Sequence, residues 1–147
     1  MKKLLLIALL GFVGAGTGVA NAATAVGNFN VSITLTSVCQ LTAPADVNFT
    51  YTSFQVGAAT GSGGAFSVQC TNSLPYTMAL DQTAVTDNAV NLAYTLGLSA
   101  AGGTGTGSAQ AFTVTGSMAA AQAGTCATAS CTNAAATNKT RTLTITY

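Results

Sequence analysis

Residues 27–36 read GNFNVSITLT and run directly into Ser37, Val38 and Cys39. Phe29, Val31, Ile33 and Leu35 fall on one side, and Asn30, Ser32, Thr34 and Thr36 on the other. This is strict period-2 alternation of residues that favour extended backbone, the pattern of a strand with one buried face. The stretch also lies near the start of the chain that export would leave behind. Its four apolar side chains need a core, either in this molecule or in a neighbour.

The first 22 residues have the pattern of an export signal. Lys2 and Lys3 form a charged start, Leu4–Val13 an apolar run, and Ala20-Asn21-Ala22 a small-x-small cleavage site. The apolar run is too short to span a bilayer. No cysteine follows it closely enough for a lipid anchor. The expected mature chain, residues 23–147, is 125 residues long, room for one domain with one core.

That chain carries five charged side chains: Asp46, Asp81, Asp87, Lys139 and Arg141. The precursor has four Lys+Arg and three Asp, for a formal +1; losing Lys2 and Lys3 leaves −1. Such a surface has no electrostatic hold on nucleic acid or anionic lipid. It also offers little charge repulsion against self-association. Threonine, β-branched and polar, occurs 24 times after the leader and suits the wet face of strands.

The alternation continues along the chain, in 47–51, 66–70, 76–81, 90–98, 112–115 and 142–147, which with the opening stretch makes seven expected strands. Gly/Ser/Thr-rich segments at 57–64, 86–88 and 99–109 read as loops. MAAAQAG at 118–124 has helix propensity but no apolar stripe, enough for one short turn at most. The expected fold is all-β, a single β-sandwich.

Four cysteines in an exported chain point to two disulfides. Cys39 is in phase with Leu35, and Cys70 with Phe66 and Val68, so both thiols face inward if the strands are regular. Cys39 therefore pairs with Cys70, and Cys126 with Cys131. In the loop-entropy description the first bond contributes about 3–4 kcal/mol and the second about 2 kcal/mol. A zinc site is the rival reading; it lacks histidine and the spacing of paired metal knuckles.

Catalysis finds few groups to work with. There is no histidine, and the side-chain carboxylates are Asp46, Asp81 and Asp87. Asp81 reads as the end of a strand and Asp87 as the opening of an Asp-Asn turn rather than as an acid–base pair. Three Asn-x-Ser/Thr matches, at Asn30, Asn48 and Asn138, are expected by chance in so Asn/Thr-rich a chain. The Gly-rich loops lack the lysine of a phosphate loop. No metal, cofactor or catalytic residue is expected; a structural or binding role is.

The order of features resembles the spore coat protein U domain, the fold of pilin subunits of archaic chaperone–usher pili. The residues that carry the resemblance are FNVSITLTSVC at 29–39, DVNFTY at 46–51, VQCTNSLPYTMALD at 68–81, LAYTLGL at 92–98 and TLTITY at 142–147. The pair Cys126/Cys131 and the Gly/Thr loop at 99–109 depart from the family pattern. The resemblance implies an immunoglobulin-like sandwich lacking its final strand. A periplasmic chaperone would lend a strand to the open groove. At an outer-membrane usher, the N-terminal segment of the next pilin subunit would replace it.

On that reading residues 1–22 are the signal, 23–36 the donor segment and 37–147 the pilin domain. Val26, Phe29, Val31, Ile33 and Leu35 would enter a neighbour, with 25–33 crossing and Leu35 close to the hand-over. The last strand, with Arg141, Leu143, Ile145 and Tyr147, would face the chaperone, whose basic residues would hold the Tyr147 carboxylate. The product would be a surface fibre serving adhesion or biofilm formation. The alternative is a self-complete secreted sandwich that binds a carbohydrate or surface polymer.

Overall fold

The computed structural model describes residues 23–147. The leader expected at 1–22 lies outside the described residues. Leu35–Tyr147 form one compact unit. Its strands, in chain order, are β1 (Cys39–Thr42), β2 (Val47–Asn48), β3 (Ala59–Thr60), β4 (Ser62–Gly63), β5 (Ala65–Cys70), β6 (Pro75–Leu80), β7 (Ala84–Thr86), β8 (Ala93–Leu98), β9 (Gly102–Thr104), β10 (Gln110–Met118) and β11 (Leu143–Thr146). One 3-10 turn, Asn133–Ala135, precedes the last strand.

The larger sheet has the order β1-β5-β10-β8-β7, with β3 also on β10; the smaller has the order β11-β6-β9; β2 and β4 form a short ribbon. All these pairings are antiparallel. The fold is all-β, with strand-rich sheets packed as a β-sandwich.

Alternation builds the core. β5 buries Phe66, Val68 and Cys70, and β6 buries Tyr76 and Met78; Leu96 of β8 and Val114 of β10 complete the cluster. Phe112 stacks on Phe66 at 5.7 Å between ring centroids and meets Tyr76 edge-on at 6.4 Å. Tyr76 keeps its polar end satisfied by donating to Gln110 Oε1 at 3.1 Å, as a buried phenol must. Burial pushes the Tyr76 hydroxyl pKa up.

Both expected disulfides are present, Cys39–Cys70 and Cys126–Cys131. The first joins directly opposed residues of β1 and β5 and has one fully buried sulfur partner, Cys70. The second is exposed and closes a tight surface loop.

Several expected elements differ. Residues 29–35 form no strand, and Cys39 begins β1 rather than ending a strand before it. A lone extended segment has no ladder to join, so alternation alone does not make it a strand. The expected strand 47–51 shortens to β2; just past it the Phe49 ring lies in the space that side chains at Gly61 and Gly116 would need. The expected strand 90–98 starts at Ala93, since Val90–Leu92 turn through Asn91 at φ +50°. The Gly-rich loops contain β3, β4 and β9, held by backbone pairing without an apolar pattern. Residues 118–124 form no helix.

Two outcomes follow. Val at position 116 should cost about 1–3 kcal/mol in denaturant unfolding, because the added methyls must displace the Phe49 ring. Removing Cys39–Cys70 by paired Ala substitution should cost about 3–4 kcal/mol, against about 2 kcal/mol for Cys126–Cys131. Equal losses for the two pairs would contradict this assignment of roles.

Candidate functional site

The last strand sits at a sheet edge. β11 pairs with β6 in the register Leu143↔Leu80, Thr144↔Ala79, Ile145↔Met78 and Thr146↔Thr77. Among the described residues no strand takes its other side. β1 is likewise an edge, paired with β5 alone. An unpaired edge presents a row of backbone donors and acceptors to which another strand can add.

The side chains at these edges are incompletely covered. Leu143 and Ile145 alternate inward from β11, pack against the core and are only half-buried. Cys39, Leu80, Leu98 and Phe112 share that state. Among the described residues the largest fully buried side chains are Val68 and Cys70. Regular sandwiches bury inward positions of terminal strands too.

Arg141, just ahead of the last strand, is engaged within the domain. It forms an ion pair with Asp81 at 3.3 Å, and donates to Gln82 at 2.9 Å and to the Asn138 carbonyl at 2.6 Å. Its partner Asp81 accepts from the Thr142 amide at 3.1 Å. That amide, ahead of the Arg141 charge, holds the Asp81 carboxyl below its usual range against the opposing effect of desolvation. The pair therefore anchors the start of β11. Tyr147, just past its end, is more than half exposed.

The N-terminal segment has the opposite character. Val26, Phe29, Val31, Ile33 and Leu35 are all large, apolar and between 72% and 95% exposed. Cover begins just after them. The Val38 amide donates to Thr71 Oγ1 at 2.9 Å, and the Thr71 amide donates to the Val38 carbonyl at 3.0 Å. The disulfide follows one residue later. The chain thus becomes fixed at Val38, and Thr71 is a residue the sequence did not single out.

A second polar cluster ties the segment before β11 to the β7–β8 turn. Asp87 is buried and accepts from the amides of Ala89 and Val90, each at 2.9 Å, and from Asn133 Nδ2 at 3.1 Å. The turn is the Asp-opened one expected; its burial under Asn133 was not legible. Asn88 and Thr137 exchange two hydrogen bonds, and Asn138 donates to the Thr86 carbonyl at 2.8 Å. Burial pushes the Asp87 carboxyl up, but the Val90 and Ala89 amides and Asn133 outweigh it and hold the pKa below the usual range.

Among the described residues no three His, Cys, Asp or Glu side chains come together as a metal site. A shallow cavity of about 370 Å³ over β7 and β8 is lined by small side chains and Tyr94, none of them charged.

The sequence profile of the Spore Coat Protein U domain matches residues 25–146. The chain belongs to the Spore Coat Protein U domain family. The match includes the exposed segment as well as the sandwich. The family is a structural, pilin-type one, associated with chaperone–usher fimbrial and spore-coat proteins and with export to the surface. No characterised protein and no solved structure matches the chain significantly.

The Asp87 cluster sets an acid limit. A carboxyl titrating lower when folded adds stability above the ordinary aspartate range and loses it as pH falls through the folded value. Unfolding free energy should therefore drop below about pH 4. Asp87→Asn should flatten that acid limb and cost about 1–3 kcal/mol at neutral pH by breaking buried hydrogen bonds. An unchanged acid limb in the variant would remove Asp87 from this role.

Proposed function

We propose that this chain is a structural subunit of a surface fibre assembled by donor-strand exchange. The observation that carries the reading is a pairing of opposites within one chain. Residues 26–35 expose an alternating apolar stripe, and β11 leaves an open edge over half-buried Leu143 and Ile145. The segment of one copy is suited to the edge of another. Each large side chain moved out of water contributes about 1.5–3 kcal/mol, and the added strand satisfies β11's free backbone groups.

The contact is head-to-tail, so it propagates into an open filament instead of closing into a ring. Before assembly the same edge is an aggregation hazard. β11 reads LTIT, with no charge or proline to protect it. A periplasmic chaperone lending a strand fits that need, and an outer-membrane usher is where exchange for the next subunit's segment takes place. The exposed Tyr147 end is accessible to a chaperone's basic groups. The fibre's role is adhesion or biofilm formation.

The test is a denaturing gel of surface-sheared material, unheated beside boiled and blotted for this chain. A donor-strand polymer gives a ladder spaced by one mature subunit that collapses to one band on boiling. Val31→Asp with Ile33→Asp should abolish the ladder while leaving the monomer's melting temperature unchanged, because both side chains are exposed in the single chain. A lone monomer band in both lanes from exported, oxidised wild-type protein would mean that the segment completes its own sandwich.

A further inference from the structure

Two loops at one end of the sandwich hold an unusual surface. Phe54 is 71% exposed and Val56 fully exposed. Phe54 has φ +62° and Ala121, in the facing loop, φ +61°. A bulky residue in this backbone region is strained and persists only where its surroundings fix it. Here they do. The Phe54 amide donates to the Gln122 carbonyl and the Ala121 amide to the Gln55 carbonyl, each at 2.9 Å. Tyr51 Oη donates to the Ala119 carbonyl at 2.8 Å and accepts from the Gln122 amide at 2.9 Å. Ser53 Oγ donates to the Ala123 carbonyl at 2.6 Å. The result is a rigid support that presents two apolar side chains to solvent.

The position of this support names its occupant. β11 runs from Leu143, opposite Leu80, toward Thr146, opposite Thr77. A strand added to its free side in the antiparallel sense of every other pairing leaves the domain at the Leu143 end. That end carries the Arg141–Asp81 pair, the bonds of Asn138 to Thr86 and of Asn88 to Thr137, and the bond of Gln122 to Ala93. Gln122 is also the residue that holds Phe54.

The donor's own sandwich cannot be far away. It starts at Val38, clamped to Thr71, only three residues after Leu35. Three residues reach at most roughly 10–11 Å when extended. The arriving end is therefore the one with Val38, Leu41 and the 71–75 turn. Val38 is 49% and Leu41 39% exposed. Neither that end, over residues 37–42 and 69–75, nor the loops at 49–60 and 118–125 carries a charged side chain, so no charge is desolvated on contact.

We infer that Phe54 and Val56 form a second contact between successive copies of this chain, seated against the Val38–Leu41 end of the copy that donates its strand. This rests on the donor-strand reading and adds to it. The contact fixes the angle between neighbours, which a short strand linker alone leaves free to pivot.

The experiment places the photo-crosslinking residue p-benzoylphenylalanine at position 54 of the full-length chain, in cells that make fibres. The unheated ladder reports donor-strand assembly independently of the crosslink. After irradiation and boiling, a dimer band should survive, with the crosslink mapped by mass spectrometry to residues 37–42 or 71–75 of a second copy. Phe54→Ser with Val56→Ser should keep the ladder and give more sharply bent fibres in micrographs. A ladder without a boiling-resistant dimer overturns this contact and leaves donor-strand assembly standing. So does a crosslink to an outer sheet face, as in laterally packed fibres, or to an unrelated protein. Loss of the wild-type ladder overturns both.

Discussion

Backbone amides and carbonyls must be paired or wet, and inward apolar side chains must be covered. At β11 the pairing is one-sided and the apolar cover incomplete within the described chain. Its outer edge has no strand, and Leu143 and Ile145 stay half-buried. The rest of the domain is arranged around that deficit. Arg141 and Asp81 fix where β11 starts, the Asp87–Asn133 cluster fixes the segment that leads into it, and β6 supplies its one ladder.

The other end of the chain carries the matching surplus. Five large apolar residues lie exposed before Val38. A monomer that keeps such a stripe in water gains nothing from it, which is why the proposed donor-strand role places its use in a neighbouring copy. The Val38–Thr71 clamp and Cys39–Cys70 put a sharp boundary between that segment and the sandwich. Tension on the segment is delivered to a disulfide and a strand pair, among the most firmly anchored parts of the domain. In the proposed fibre such a boundary would matter, because any load would pass through every junction in series.

Charge acts here by its scarcity. The strands of the larger sheet contain no ionisable side chain other than disulfide cysteines and Tyr94. The charged residues that matter are used internally: Asp81 with Arg141, Asp87 with backbone amides, and Lys139 Nζ with the Ala134 carbonyl at 3.0 Å. Little net charge remains to keep copies of the chain apart.

By itself the sequence determined the fold class, most of the core and both disulfides. The reason is that period-2 alternation is a local property. Phe66-Ser-Val-Gln-Cys70 and Tyr76-Thr-Met78 each state which face is buried before any partner is known, and the phase of Cys39 and Cys70 follows. Tertiary structure alone decided what depends on a distant partner. GNFNVSITLT has a strand's pattern but no ladder in the single chain. β3, β4 and β9 have ladders but no pattern. Phe49 rests its ring in the space that Gly61 and Gly116, distant in sequence, leave open. Asp87 is buried by Asn133, 46 residues away. The positive φ of Phe54 depends on hydrogen bonds from a loop nearly 70 residues later. Side-chain periodicity is written residue by residue, whereas burial, edge and strain exist only between segments.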